Sequence, residues 1–156
     1  MVKIIFLDID GVLNNDSDDS IDLTDKAHFI NPTLVTRLNN LIASTDAKVV
    51  LTSTWRLGLT LDEILDLCSI IGLEGEVIGM TDSLNQYPFI HRGNEILKWI
   101  IDNEDLVGPK HEYKSYVIID DDNDMLYRQR NNFVKVDGEL GLTEENVLDA
   151  FSILNK

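Results

Sequence analysis

The chain has 156 residues, with 13 Lys+Arg against 28 Asp+Glu and a formal net charge of −15. That length points to one domain, residues 1–156, with a single core, and 44% hydrophobic residues fits neither a disordered chain nor a membrane chain. So acidic a balance disfavours a broad basic face and unaided capture of a phosphate backbone, and raises the question of which carboxylates converge on a cation.

Val2–Ile9 (VKIIFLDI) is a continuous apolar run of strand length, the pattern of a strand buried on both faces. Asn14–Asp25 is polar and strongly acidic and reads as a loop or flap. Asn31-Pro32 is a helix start, since Asn caps and Pro suits the first turn, and Leu34, Leu38, Leu41 and Ile42 follow at helical spacing. Ala47–Thr52 (AKVVLT) is a second buried strand. Thr60 and Glu63 form a capping box that opens a helix carrying Leu61, Ile64, Leu65, Cys68 and Ile71, with Gly72 as its stop. Glu76–Met80 is a short third strand. A helix from about Arg92 carries Ile96, Trp99 and Ile100 on one face. Ser115–Ile119 (SYVII) is a fourth strand running into Asp120, Asp121 and Asp122. A short helix is expected over roughly Asn123–Arg130, a fifth strand over Phe133–Val136, and a final helix capped by Thr143 with Val147, Leu148, Phe151 and Leu154 inward. Alternating strands and helices predict an α/β fold: a three-layer, Rossmann-like, open parallel sheet of about five strands with helices on both faces.

In such sheets ligands bind outside the carboxyl ends of the strands. Asp8 and Asp10 end strand one, Thr52 and Ser53 end strand two, and Asp120–Asp122 end strand four, so distant polar groups collect on one edge. Gly11 permits a sharp bend after Asp10. Carboxylates brought together there repel unless a cation joins them, and hard oxygen donors suit Mg²⁺. No Cys/His cluster suggests zinc. The single cysteine, Cys68, allows no internal disulfide and sits in an apolar stripe, so a core role and a reducing cytoplasm are expected. The N-terminus carries no segment long enough for a signal or a membrane span.

FLDIDGVL at residues 6–13, an apolar strand ending in Thr52, and VIIDDDND at 117–124 resemble, in that order, the haloacid dehalogenase (HAD) superfamily of phosphotransferases. The resemblance spans Phe6 to about Val136. It implies that Asp8 is an aspartyl nucleophile and that Asp10 is the general acid/base, with its carbonyl on the metal. Thr52, with Ser53, holds the transferring phosphoryl group, and Asp120 binds Mg²⁺. Either Asp121 or Asp124 is the second acidic partner. Arg92, with Lys98 as runner-up, is the basic phosphate ligand. Trp55 and Arg56 follow strand two directly and line the same mouth, where Trp55 stacks on a flat substrate group or packs in the core, and Arg56 contacts a phosphate or is a surface charge. Asn14 and Asn15 reach substrate or serve the turn.

About 40 residues separate Asp10 from Thr52, and about 40 more separate Thr52 from Arg92; the elements just named consume both intervals and leave no room for the cap domain common in this superfamily. The expectation is therefore a capless, Mg²⁺-dependent phosphatase with an open site. Its substrate would be a phosphorylated small molecule, a nucleic-acid end or a phosphoprotein. The DIDGVLN and LTSTWR strings look like capless domains fused to RNA-repair enzymes. The alternative is a non-catalytic Mg²⁺/phosphate-binding or phospho-acceptor module acting with a partner. The sequence does not indicate an oligomeric state.

Overall fold

The computed structural model describes residues 2–14, 30–84, 90–109 and 113–156. Five strands form one all-parallel sheet: β1 (Ile4–Leu7), β2 (Lys48–Leu51), β3 (Val77–Met80), β4 (Tyr116–Asp120) and β5 (Phe133–Lys135), in the order β3-β2-β1-β4-β5. Strand order reverses between β1 and β4, which is where such a sheet opens a crevice. All four β1 residues are fully buried, as a central strand covered on both faces requires.

Side chains alternate between two cores. Ile5, Leu7, Val49, Leu51, Val117 and Ile119 face α1 (Pro32–Thr45), α2 (Leu61–Ile70) and α5 (Glu144–Leu154). Ile4, Phe6, Val50 and Ile118 face α3 (Arg92–Asp102) and the short α4 (Glu104–Val107). Phe6 meets Trp99 and Tyr116 edge-on, with ring centroids 5.5 and 5.8 Å away. The helix starts follow the local chemistry: Asn31 caps α1 with Pro32 inside the first turn, Thr60 and Glu63 form a capping box on α2, and Thr143 caps α5 with Asn146. Gly72 ends α2 at φ +86°.

Two expectations change, and one element was not anticipated. No regular helix covers 123–130; a 3₁₀ turn spans Tyr127–Asn132 instead. The preceding backbone is engaged elsewhere, since the Leu126 amide donates to Gln129 Oε1 (2.8 Å) and Asp124 caps α3. On α5, Leu148 and Phe151 stay exposed while Ala150 and Leu154 face inward. Ala150 takes an inward position one helical turn before Leu154, a place that a count of large apolar residues passes over. Finally, α4 lacks an apolar period long enough to announce it. From residue 15 onward the acidic flap lies outside the described residues. No cap domain is evident among the described residues, and no helix among them is long and apolar enough to cross a membrane.

Candidate active site

β1, β2 and β4 all deliver polar groups to one edge. Pairing continues past the strands through Asp8 N–H to Ile119 O (3.0 Å) and Thr52 N–H to Leu7 O (2.9 Å), so the chain stays ordered where its side chains turn polar. Asp8, Thr52, Ser53 and Asp120 are all buried there. Carboxylate oxygens of Asp8, Asp120 and Asp121 lie within 4.8 Å of one another. Three hard oxygen donors at that spacing, with no nitrogen or sulfur, fit Mg²⁺.

Gly11 makes this cluster possible. Its φ is +72°, and a Cβ there would stand 2.2 Å from Asp121 Oδ2. Any side chain at 11 would displace the Asp121 carboxylate as well as strain the turn. Asp124 lies outside the cluster. Its Oδ2 accepts from the Arg92 backbone N–H (2.8 Å) and so caps α3 from a separate loop, where His91 supplies no side-chain cap. Gly93 permits the close approach, since a Cβ on it would lie 2.5 Å from Leu126 N.

Arg92, placed by that cap, points its Nη1 at Asp8 Oδ1 (3.1 Å) and Asp120 Oδ2 (2.6 Å). Lys98 is instead on the surface, paired with Asp82 (2.9 Å) and Asp102. Burial pushes the Asp8 carboxyl above its ordinary range, against the pull of Arg92, the Ile9 amide and the Ser53 hydroxyl. Asp120 is pushed up to about 7 by burial and by Asp8, with Arg92 opposing. Burial also works against the Arg92 charge, but Asp8 and Asp120 more than offset it and hold the guanidinium above its usual value.

Asp10, two residues beyond Asp8, is exposed. The Trp55 indole Nε1–H reaches both of its oxygens at 2.9 Å, and Asn14 Nδ2 donates to Oδ1 at 3.0 Å. Asn14 is itself held by the Gly11 amide, at 2.8 Å to its Oδ1. Trp55 is otherwise buried, so its ring is not presented as a stacking face. Thr52 is fully buried, and its Oγ1 has no hydrogen-bond partner among the described residues. An orphaned hydroxyl beside a buried carboxylate is the arrangement a bound oxyanion would complete.

Arg56 is drawn inward, and with Arg92 and Asp124 it lines a small cavity of about 80 Å³. It is 5% exposed, and its guanidinium donates to the carbonyls of Thr52 (2.6 Å), Ser53 (2.8 Å) and Thr81 (2.7 Å) and to Glu95 Oε2 (2.7 Å). Burial lowers its pKa, with Glu95 opposing. Glu95 also accepts from the Leu84 amide (2.8 Å). Sequence reasoning missed Glu95; the available signal was a carboxylate four residues before Trp99, on the same buried stripe of α3. It also missed Gln129, which is buried and donates to Gly93 O (2.9 Å).

The site thus joins groups from three strand ends and one helix start in the order expected of a HAD fold. Comparison with curated proteins finds no match. A family model describing the HAD domain in Swiss Army Knife RNA repair proteins matches residues 4–147. With nearly the whole chain covered and the fold in agreement, the protein belongs to that HAD domain family.

Proposed function

We propose that this domain is a Mg²⁺-dependent phosphatase that hydrolyses a phosphomonoester through an aspartyl-phosphate. The carrying observation is Asp8: a buried carboxylate held by Arg92 and Ser53, next to Asp120 and Asp121 and beside the orphaned Thr52 hydroxyl. Asp8 attacks phosphorus, an Asp8 oxygen–phosphorus bond forms, and the ester oxygen leaves with the proton of Asp10. Asp10 then takes a proton from water as that water attacks the phosphorus, which frees phosphate and restores Asp8. Thr52 and Arg92 stabilise the phosphoryl oxygens in both steps. Asp8, Asp120 and Asp121 would hold Mg²⁺, which supplies charge neutralisation for the attack of one anion on another.

Trp55 and Asn14 orient Asp10, and Asp124 positions Arg92. The absence of a cap among the described residues and the family's description as part of RNA repair proteins support a phosphate at a nucleotide or polynucleotide end as the substrate. Purified protein with Mg²⁺ is expected to hydrolyse an aryl phosphate, and Asp8→Asn to abolish it. Activity that survives that change, or that ignores a chelator, overturns the mechanism.

A further inference from the structure

The cations of this acidic chain are unevenly placed. Most described Lys and Arg residues are engaged inside the molecule or paired: Lys48 with Glu76, Lys98 with Asp82 and Asp102, Arg56 with Glu95, Arg92 with Asp8 and Asp120, Lys3 with Asn155 and Arg37 with Leu142 O. Lys114, Arg128, Arg130, Lys135 and Lys156 form a second group, in which Arg130 donates to the Tyr127 carbonyl (3.0 Å). They are exposed and line two adjoining clefts of about 430 and 290 Å³ along the β5 side of the sheet. Asp149 is the one acidic residue lining either cleft.

This surface is also aromatic. Tyr127 is 81% exposed, and the Arg130 guanidinium carbon lies 4.1 Å from its ring centroid, so the two planar groups form an open platform. At one end Lys135 Nζ reaches the Asp121 carbonyl (2.6 Å), which joins the strip to the candidate active site. At the other end Lys114 sits just before β4, on the edge of the sheet opposite the site.

We propose that this β5-edge strip docks single-stranded nucleic acid, with backbone phosphates at Lys114, Arg128, Arg130 and Lys135 and a base stacked on Tyr127. Several exposed cations along adjoining clefts match a phosphate chain, and an exposed aromatic platform adds a contact that every base can make. An acidic peptide offers the charge but no flat face. A net charge of −15 repels polyanions elsewhere, so the strip sets where the strand can lie.

Docking requires no bond cleavage, so it is tested separately from the phosphatase reading. Fluorescence anisotropy would follow a labelled oligoribonucleotide of about ten nucleotides, with hydroxyl groups at both ends, in chelator. Saturable binding is expected, weakening with salt at a log–log slope of about −2 to −3 for four single-strand phosphate contacts. The double variant Arg128→Glu/Arg130→Glu should lose at least about ten-fold in affinity, and Tyr127→Ala about ten-fold. Arg128→Gln/Arg130→Gln repeats the test with less charge change, and thermal unfolding verifies that each variant is folded. Absence of saturable binding by the wild type at low salt overturns the proposal, as does unchanged affinity in folded charge variants or in Tyr127→Ala. Polyglutamate displacing the labelled strand as well as unlabelled oligonucleotide does would also overturn it and assign the strip to an acidic protein partner.

Discussion

The two halves of the candidate site are built on opposite principles. On one side Asp8 and Asp120 are buried and held against each other by a guanidinium. On the other side Asp10 is exposed, steadied by neutral donors from Trp55 and Asn14. Buried like charges raise the energy of the empty site and make it depend on counter-charge; an exposed carboxylate exchanges protons with water freely and needs only orientation. A nucleophile and its metal ligands benefit from the first arrangement, and a group that must give and retake a proton within one cycle benefits from the second.

Removing Arg92 breaks the buried half most severely. Arg92→Ala leaves two carboxylates with no cation in the metal-free protein. Urea unfolding in chelator at pH 8, above the value of about 7 to which burial carries Asp120, should show a loss of about 3 kcal/mol, and phosphatase activity in Mg²⁺ should fall as well. A loss within the range of ordinary surface changes would mean that Asp8 and Asp120 are already neutral or solvated.

Trp55→Phe probes the other half. It keeps the buried ring and deletes the N–H that spans the Asp10 carboxylate. Hydrolysis of an alkyl phosphate, whose leaving oxygen must be protonated, should slow about 100-fold, whereas a nitrophenyl phosphate should be affected far less. Equal losses on both substrates would assign Trp55 to packing alone.

The pH dependence of stability separates the halves again. Folded Asp8 and Asp120 hold protons that the unfolded chain has released, because burial raises both and carries Asp120 from 3.8 to about 7. Without metal, this contribution therefore makes the protein less stable as pH rises from about 4 to about 7. Compared with Asp120→Asn, the chelated wild type should lose a few degrees more in melting temperature over that range, and saturating Mg²⁺ should remove the difference. The smallest effect is expected for Asn14→Ala: a rate loss of a few-fold, with stability unchanged to within about 0.5 kcal/mol.

The buried sheet was legible because β1 and β2 are apolar runs bounded by polar strand ends, and the starts of α1, α2 and α5 because Asn31, Thr60 and Thr143 are strong caps. Strand ends can be read in this way because a parallel sheet sends them all to one edge. What was not legible depends on approach between segments. Asp121 and Asp124 lie on an irregular loop, where spacing does not fix direction; one joins Asp8 and the other caps a helix. Arg56 follows a strand end and resembles a mouth residue, but carbonyls of Thr52, Ser53 and Thr81 converge on it from two segments and draw it inward. The inward face of α5 turns on Ala150, whose small size carries little weight in an apolar pattern.

That Arg56 network has a consequence for selectivity. Thr52 and Arg92 reach the site from a strand end and a helix start 40 positions apart in the chain, and the Arg56–Glu95 pair ties the backbone of one to the helix of the other. The separation between a hydroxyl and a guanidinium is thereby set by the fold before any ligand arrives. A preorganised cradle of this kind recognises the phosphoryl group itself, at little cost in rearrangement, whatever molecule carries it. Discrimination among carriers then falls to surfaces beyond the cradle, which can diverge without disturbing the chemistry.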